Sequence, residues 1–247
     1  FTSGSTGVPK GCGPSHGQVS AFIMAMAQQY PFSTEDRFAQ YCDLAFDASV
    51  FVLFSALSVG AQVFVIPEHQ RLMPMKFLRQ HKITVLYIMP SVVTMLERSH
   101  QLKKGQLPHL RRTFFGAEAL TFRTVQHWLV AAPESQVDNH YGPTEATVTC
   151  SAYTVNSNNN RSIEDNCTPG LDTLPIGKPL PGLNMAIVDE HKQFVRPGEP
   201  GEIVIGGDQV LTSYWRDEKR STEAFALLAL EGGDKQNWYL SGDYGFM

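Results

Sequence analysis

Apolar positions along the chain change their period several times, and each change marks an element. From His16 to Tyr30, Val19, Phe22, Ile23, Met26 and Ala27 recur at helical spacing, and Pro31 and Asp36 end the run. Phe46 to Val59 is strongly apolar and predicts a second helix; after Gly60, Ala61 to Ile66 reads as a buried strand. Met75 to His81 predicts a short helix, and Ile83 to Ile88 a second strand closed by Met89-Pro90. Ser91 is expected to cap a helix reaching about Ser99. Leu110 to Phe115 predicts a third strand, Thr121 starts a helix through Leu129, and Gln136 to Asn139 leads into Tyr141-Gly142-Pro143. Strands alternating with helices predict an α/β fold over residues 1–155, a parallel or mixed sheet wrapped by helices.

The pattern then shifts. Residues 156–174 open with a polar, low-complexity run, Asn156 to Cys167, expected to be a mobile surface loop. Residues 175–247 read as a smaller β-rich part: short strands at Met185 to Val188, Glu202 to Ile205 and Trp238 to Leu240. Their turns are supplied by Pro181-Gly182, Pro197-Gly198 and Pro200-Gly201.

Composition narrows the class without identifying it. The 247 residues are 43% hydrophobic and 18% charged, as in an ordinary globular protein. A net charge of −4 gives no reason to expect nucleic acid, and no apolar run is long enough to span a membrane. Cys12, Cys42, Cys150 and Cys167 show no C-x-x-C spacing, so neither a disulfide framework nor a zinc site is expected, and a cytoplasmic location is the simplest reading.

Candidate chemistry starts at the first residues. Phe1-Thr2-Ser3-Gly4-Ser5-Thr6-Gly7-Val8-Pro9-Lys10-Gly11 offers many backbone N–H groups, small hydroxyls and one cation, which suits a phosphate chain. It is not a Walker A loop, because the position of that motif's second glycine holds Pro9. Taken alone, a Ser/Gly linker competes with the phosphate reading. Three more stretches follow: Asn139-His140-Tyr141-Gly142-Pro143-Thr144-Glu145, Gly201-Glu202-Ile203-Val204-Ile205-Gly206-Gly207, and Tyr239-Leu240-Ser241-Gly242-Asp243. Each residue also has a plain structural alternative: Tyr141 a packed turn aromatic, Glu145 an acid at a helix start, Asn139 an Asx turn, Asp243 a turn residue.

In their joint order, these four stretches resemble the core motifs of the adenylate-forming superfamily. The likeness is to amino-acid adenylation domains of nonribosomal peptide synthetases and stand-alone relatives such as D-alanine–carrier-protein ligases. It runs the length of the chain. It implies a smaller β-rich subdomain of distorted-barrel type after the α/β part. It also implies activation of an amino acid with ATP and Mg²⁺ as aminoacyl-AMP, for transfer to the phosphopantetheine thiol of a carrier protein, with no nucleic-acid or membrane partner. The resemblance assigns Thr2, Ser3, Gly4, Ser5, Thr6, Gly7 and Lys10 to the ATP phosphates. Gly116, Ala117, Glu118, Asn139 and Tyr141 would surround adenine, and Asp243 would hold the ribose. Thr144, Glu145 and Lys10 would act in catalysis, with Glu145 on Mg²⁺, a hard cation suited to oxygen ligands.

Phe46-Asp47-Ala48-Ser49-Val50-Phe51 resembles the family segment whose Asp binds the substrate ammonium. A carboxylate among apolar residues wants a cation, although a helix N-cap is the plain alternative for Asp47. The remaining pocket wall would be Ala48, Phe51, Tyr87, Phe114, Gly116, His140, Val148 and Thr149, whose bulk suits a small or flat substrate side chain and whose polar Tyr87 and His140 tips equally suit one with a hydrogen-bonding group. Cys12, Leu240, Ser241 and Thr212-Ser213-Tyr214 depart from the usual pattern. The family's C-terminal lid subdomain, with its catalytic Lys, has no counterpart in these residues; the expectation is a segment cut at two motifs, weakly active or inactive by itself. Other readings are an aryl- or fatty-acid ligase, the activation module of an amino-acid reductase, or a catalytically silent module of the same fold.

Overall fold

The computed structural model describes Thr2, residues 9–155, 167–168, 170–229 and 234–247. The chain divides into two compact units, each discontinuous in sequence: residues 30–141 with 151–178, and residues 1–29 with 142–150 and 179–247.

The first of these carries α2 (Ala48–Ser58), α3 (Met75–Gln80), α4 (Pro90–Arg98) and α5 (Phe122–Ala131) around a sheet. Its strands are β1 (Arg37–Gln40), β2 (Gln62–Val65), β3 (Val85–Ile88), β4 (Arg112–Phe115), β5 (Gln136–Tyr141) and β6 (Ser151–Thr154), with β7 (Lys178–Pro179) at one edge. The order is β2-β1-β3-β4-β5-β6-β7. The pairs from β2 to β5 are parallel, and β6 runs antiparallel to β5. Every residue of β3 is buried, which explains its unbroken apolar run. A continuous core of strand and helix residues includes Leu86, Ile88, Phe115, Trp128 and Leu96. Trp128 donates its indole N–H to Thr113 Oγ1 at 2.8 Å, so its one polar atom is satisfied inside that core.

Three expectations change here. Strand β2 is not a buried strand: it lies at the sheet edge, with Gln62 and Val65 exposed. Strand β1 has no counterpart in the apolar pattern. Its preceding Asp36, 2% exposed, holds the corner together by accepting from Ser33 N, Thr84 Oγ1 and the Arg111 guanidinium. Ser91 does not cap its helix: α4 begins at Pro90 after Met89, because proline's fixed φ suits a first helical position. Ser91 instead donates N–H and Oγ–H to the two carboxylate oxygens of Glu118, at 2.8 and 2.7 Å.

The second unit contains α1 (His16–Gln29), the short α6 (Glu218–Ala224) and an antiparallel sheet ordered β10-β11-β9-β8. Its strands are β8 (Leu183–Val188), β9 (Gly201–Gly207), β10 (Phe225–Ala229) and β11 (Lys235–Gly245). Val188, Val204, Trp238 and Leu240 form its core. Helix α1 buries Phe22 and Met26, as its spacing predicts, and also Ala25, while the expected Ala27 is exposed; Gln18 Nε2 donates to Val210 O at 2.6 Å. Among the described residues, no helix is long and apolar enough to cross a membrane.

Candidate active site

In parallel sheets, ligands gather beyond the carboxyl ends of the strands. In the first unit those ends carry Tyr87 on β3, Phe114 and then Gly116 after β4, and His140 and Tyr141 on β5. The register aligns Tyr87 with Phe114 and Phe114 with Asp138, so His140, two residues on, shares their face. The rings meet. Phe114 and His140 centroids are 4.7 Å apart, Phe51 and Phe114 5.0 Å, and Phe51 and Tyr87 5.6 Å. Gly116 has no room for a side chain: a Cβ would fall 1.9 Å from Tyr87 Oη. The expected wall residues Phe51, Tyr87, Phe114, Gly116 and His140 are therefore one packed group.

Asp47 occupies the N-cap position of α2, without a side-chain capping bond; Ala48 follows in the first turn, and Phe51 is buried one turn on. Tyr30, just past the end of α1, joins the ring group: its Oη and His140 Nε2 share a 2.8 Å hydrogen bond. His140 is 3% exposed and its Nδ1 has no hydrogen-bond partner. Burial, helped by the nearby Arg112 cation, pulls its pKa down to about 3, so the ring is neutral. Behind it, Arg112 donates to Asp138 at 2.6 Å, and its guanidinium lies 5.0 Å from the Tyr30 ring centre.

The second unit gathers the other charged candidates. Thr2 and Lys10 pair backbone to backbone, N to O, at 3.0 and 2.8 Å; Ser3, Gly4, Ser5, Thr6 and Gly7 lie outside the described residues. Lys10 Nζ reaches Glu145 Oε1 at 2.9 Å and donates to Tyr214 Oη at 2.9 Å, while Tyr214 Oη donates to the same Glu145 oxygen at 2.6 Å. Glu145 is 3% exposed. Burial pushes its pKa up, but Tyr214 and Lys10 more than offset this and hold it below the usual range. Burial likewise pulls the Lys10 pKa down, and Glu145 reverses this to leave it raised. Both groups are charged at neutral pH.

Thr144 opens the 3₁₀ turn Thr144–Ala146 that delivers Glu145. Val148 and Thr149 belong to this second unit, apart in assignment from the other wall candidates. Thr147 and Val148 are left-handed, at φ 56° and 73°, an unusual state for β-branched residues and one that concentrates at functional turns. Gly142 permits that turn: a Cβ there would lie 2.5 Å from Thr149 Cα and 2.7 Å from Val148 O.

The adenine and ribose candidates are placed less uniformly. Asn139 is buried on β5 and donates Nδ2 to Pro175 O at 2.8 Å, so half of its amide already serves the fold. Tyr141 ends β5, half-buried. Ala117, at φ 68°, turns the chain after Gly116, and Glu118 is bound to Ser91. Asp243 does not lie past a strand: it sits within β11, where the register with β9 shifts between Leu240 and Tyr244. Ser241 builds that irregularity by donating to Ile203 O and accepting from Asp243 N, and Asp243 is exposed. Among the described residues no group of three acids, histidines or cysteines could cage a metal. One buried carboxylate fits Mg²⁺, which keeps water and takes phosphate oxygens alongside one or two protein ligands.

Tyr30 and Tyr214 are the residues that sequence reasoning missed. Tyr214 lies 69 positions from Glu145, and its only sign was its place in a stretch that departs from the usual pattern.

Comparison with known proteins follows the same lines. The model of a family described as AMP-binding enzyme matches residues 1–215. An L-proline–(L-prolyl-carrier protein) ligase of Pseudomonas fluorescens is 33% identical over 254 aligned residues, covering all of this chain and 47% of the relative. A D-alanine–D-alanyl carrier protein ligase of Streptococcus equi is 30% identical, covering 91% of this chain and 43% of the relative. The crystal structure of the Vibrio cholerae adenylation domain AlmE with glycyl-adenosine-5'-phosphate superposes with a TM-score of 0.85 at 31% identity, over 98% of this chain and 44% of that one. The chain thus spans less than half the length of each.

Proposed function

The chain belongs to the AMP-binding enzyme family, and from that premise we propose that it is the nucleotide- and substrate-holding part of an amino-acid-activating ligase. In the proposed reaction an amino-acid carboxylate oxygen bonds to the α-phosphorus of ATP as the bond to the bridging oxygen breaks, giving aminoacyl-AMP and pyrophosphate. A carrier-protein phosphopantetheine thiol then takes the acyl group and AMP leaves. No covalent enzyme intermediate is needed; positioning and charge neutralisation carry the first step.

The observation that carries this reading is the ion pair between Lys10 and the buried Glu145, which joins the end of the Gly/Ser/Thr run to the Thr144-Glu145 turn. In the proposal Lys10, Thr2 and Ser3 to Gly7 hold the phosphates, and Thr144 donates to an α-phosphate oxygen. Glu145 holds Mg²⁺, which neutralises phosphate charge when bound. Tyr141 and Gly116 to Glu118 flank adenine, Asn139 keeps its amide oxygen for the exocyclic amino group, and Asp243 accepts from ribose hydroxyls. Asp47, at the head of α2, meets the substrate ammonium. The ring group at the ends of β3, β4 and β5 favours a compact side chain. The glycyl adenylate held by AlmE agrees with that preference.

The test is amino-acid-dependent ATP–pyrophosphate exchange by the chain in its natural polypeptide, against L- and D-amino acids, aryl acids and fatty acids. Exchange with one or a few small or flat amino acids, lost in Asp47→Ala, is the expected result. Exchange with aryl or fatty acids alone would move the protein to another branch of the family, and ATP binding without exchange would make it a silent module.

A further inference from the structure

The Lys10–Glu145 pair poses a problem for the function proposed above. A triphosphate draws Lys10 toward itself, yet Glu145, 3% exposed, is a buried carboxylate that needs a partner to keep its orientation. We propose that Tyr214 is a positioning residue that holds the Glu145 carboxylate in place when the Lys10 ammonium moves to phosphate. The inference rests on the ATP-binding reading of the site.

Tyr214 is built to stay. It is 4% exposed, its backbone N–H donates to Ser221 Oγ at 2.9 Å, and its ring packs on Phe225 with centroids 5.4 Å apart. None of these contacts involves Lys10. Its hydroxyl serves both partners at once, donating to Glu145 Oε1 at 2.6 Å and accepting from Lys10 Nζ at 2.9 Å. Loss of the Lys10 contact leaves the donor bond to Glu145 intact, because the hydroxyl gives its one proton to the carboxylate and offers Lys10 only a lone pair. Lys10 also lies over the Tyr214 ring, 4.7 Å from its centre. Phenylalanine at 214 would keep the packing and the ring face and delete only the hydroxyl.

The experiment is calorimetric ATP binding by the chain in its natural polypeptide, in Mg²⁺ and in EDTA, for wild type and Tyr214→Phe. Wild type is expected to bind more tightly in Mg²⁺. In Tyr214→Phe the affinity in EDTA should stay within about twofold, while the gain on adding Mg²⁺ falls about tenfold, as for a lost hydrogen bond to a charged group. A variant that melts earlier but keeps the full Mg²⁺ gain would show that Tyr214 only packs, and would overturn the proposal while leaving the ATP reading intact. If wild type bound no ATP in either condition, both would fall. Should Tyr214→Phe not fold, Lys10→Met decides: with the Tyr214 hydroxyl still on Glu145, the Mg²⁺ gain should survive although overall affinity drops. Its disappearance would overturn the proposal.

Discussion

Lowering the pH should destabilise this protein through one ring. His140 is enclosed by Tyr30, Phe51, Tyr87 and Phe114, with the Arg112 cation near and the Asp138 carboxylate paired to that cation. Its pKa is about 3 in the fold against 6.5 ordinarily. The unfolded chain therefore binds a proton that the folded chain refuses, so stability is complete above 6.5 and drains away as pH falls toward 3. The linked loss is about 2 kcal/mol at pH 5 and about 3 kcal/mol at pH 4. Carboxylates add their own slopes, so the measurement is a difference: urea unfolding of wild type and His140→Gln at a series of pH values. The gap between the two curves should close toward acid by those amounts, since a glutamine amide cannot take the proton. A gap constant from pH 8 to pH 4 would refute the argument. So would a His140 ring resonance in NMR that titrates near 6.5.

Two other substitutions test the packing. Gly116→Ala should cost about 1–3 kcal/mol by overpacking, read as a lower urea midpoint, because the new methyl meets the buried Tyr87 phenol; no loss would mean that Tyr87 moves freely. Asp36→Ala should cost about 1–3 kcal/mol above pH 5, a range reduced because Arg111 is half-exposed. Burial raises the Asp36 pKa, but Arg111, Ser33 and Thr84 bring it below 3.8, so the contribution is present above that value and is lost as pH falls through the lower folded one. Acid unfolding curves of variant and wild type should therefore converge at low pH.

How much was legible depends on where each element finds its partners. Strand β3 could be read because both of its faces are buried and its residues are uniformly apolar. Strand β1 could not: Arg37 and Gln40 leave only Phe38 and Ala39 as an apolar pair, and its place comes from pairing with β2 and β3, beside an Asp36–Arg111 contact that spans 75 residues. Phe51, Tyr87, Phe114 and His140 were named from motif positions, and the structure packs these rings against one another. The Tyr214–Glu145 bond has no local signature, because a tyrosine's body packs like any apolar residue and its hydroxyl selects a partner only in three dimensions. Ser91 misleads for the same reason: a serine at a helix start ordinarily serves its own helix, and only the folded chain brings Glu118 to it.

That last contact turns one amide into a gauge. While the Glu118 carboxylate holds Ser91, the Ser91 N–H is tied to the turn that leaves β4, although it lies on the surface of α4. If a bound nucleotide draws Glu118 away, Ser91 is released, and its hydrogen exchange should quicken while the amides deeper in α4 keep their pace. A single exchange rate, read without substrate turnover, would then report the position of the turn after β4.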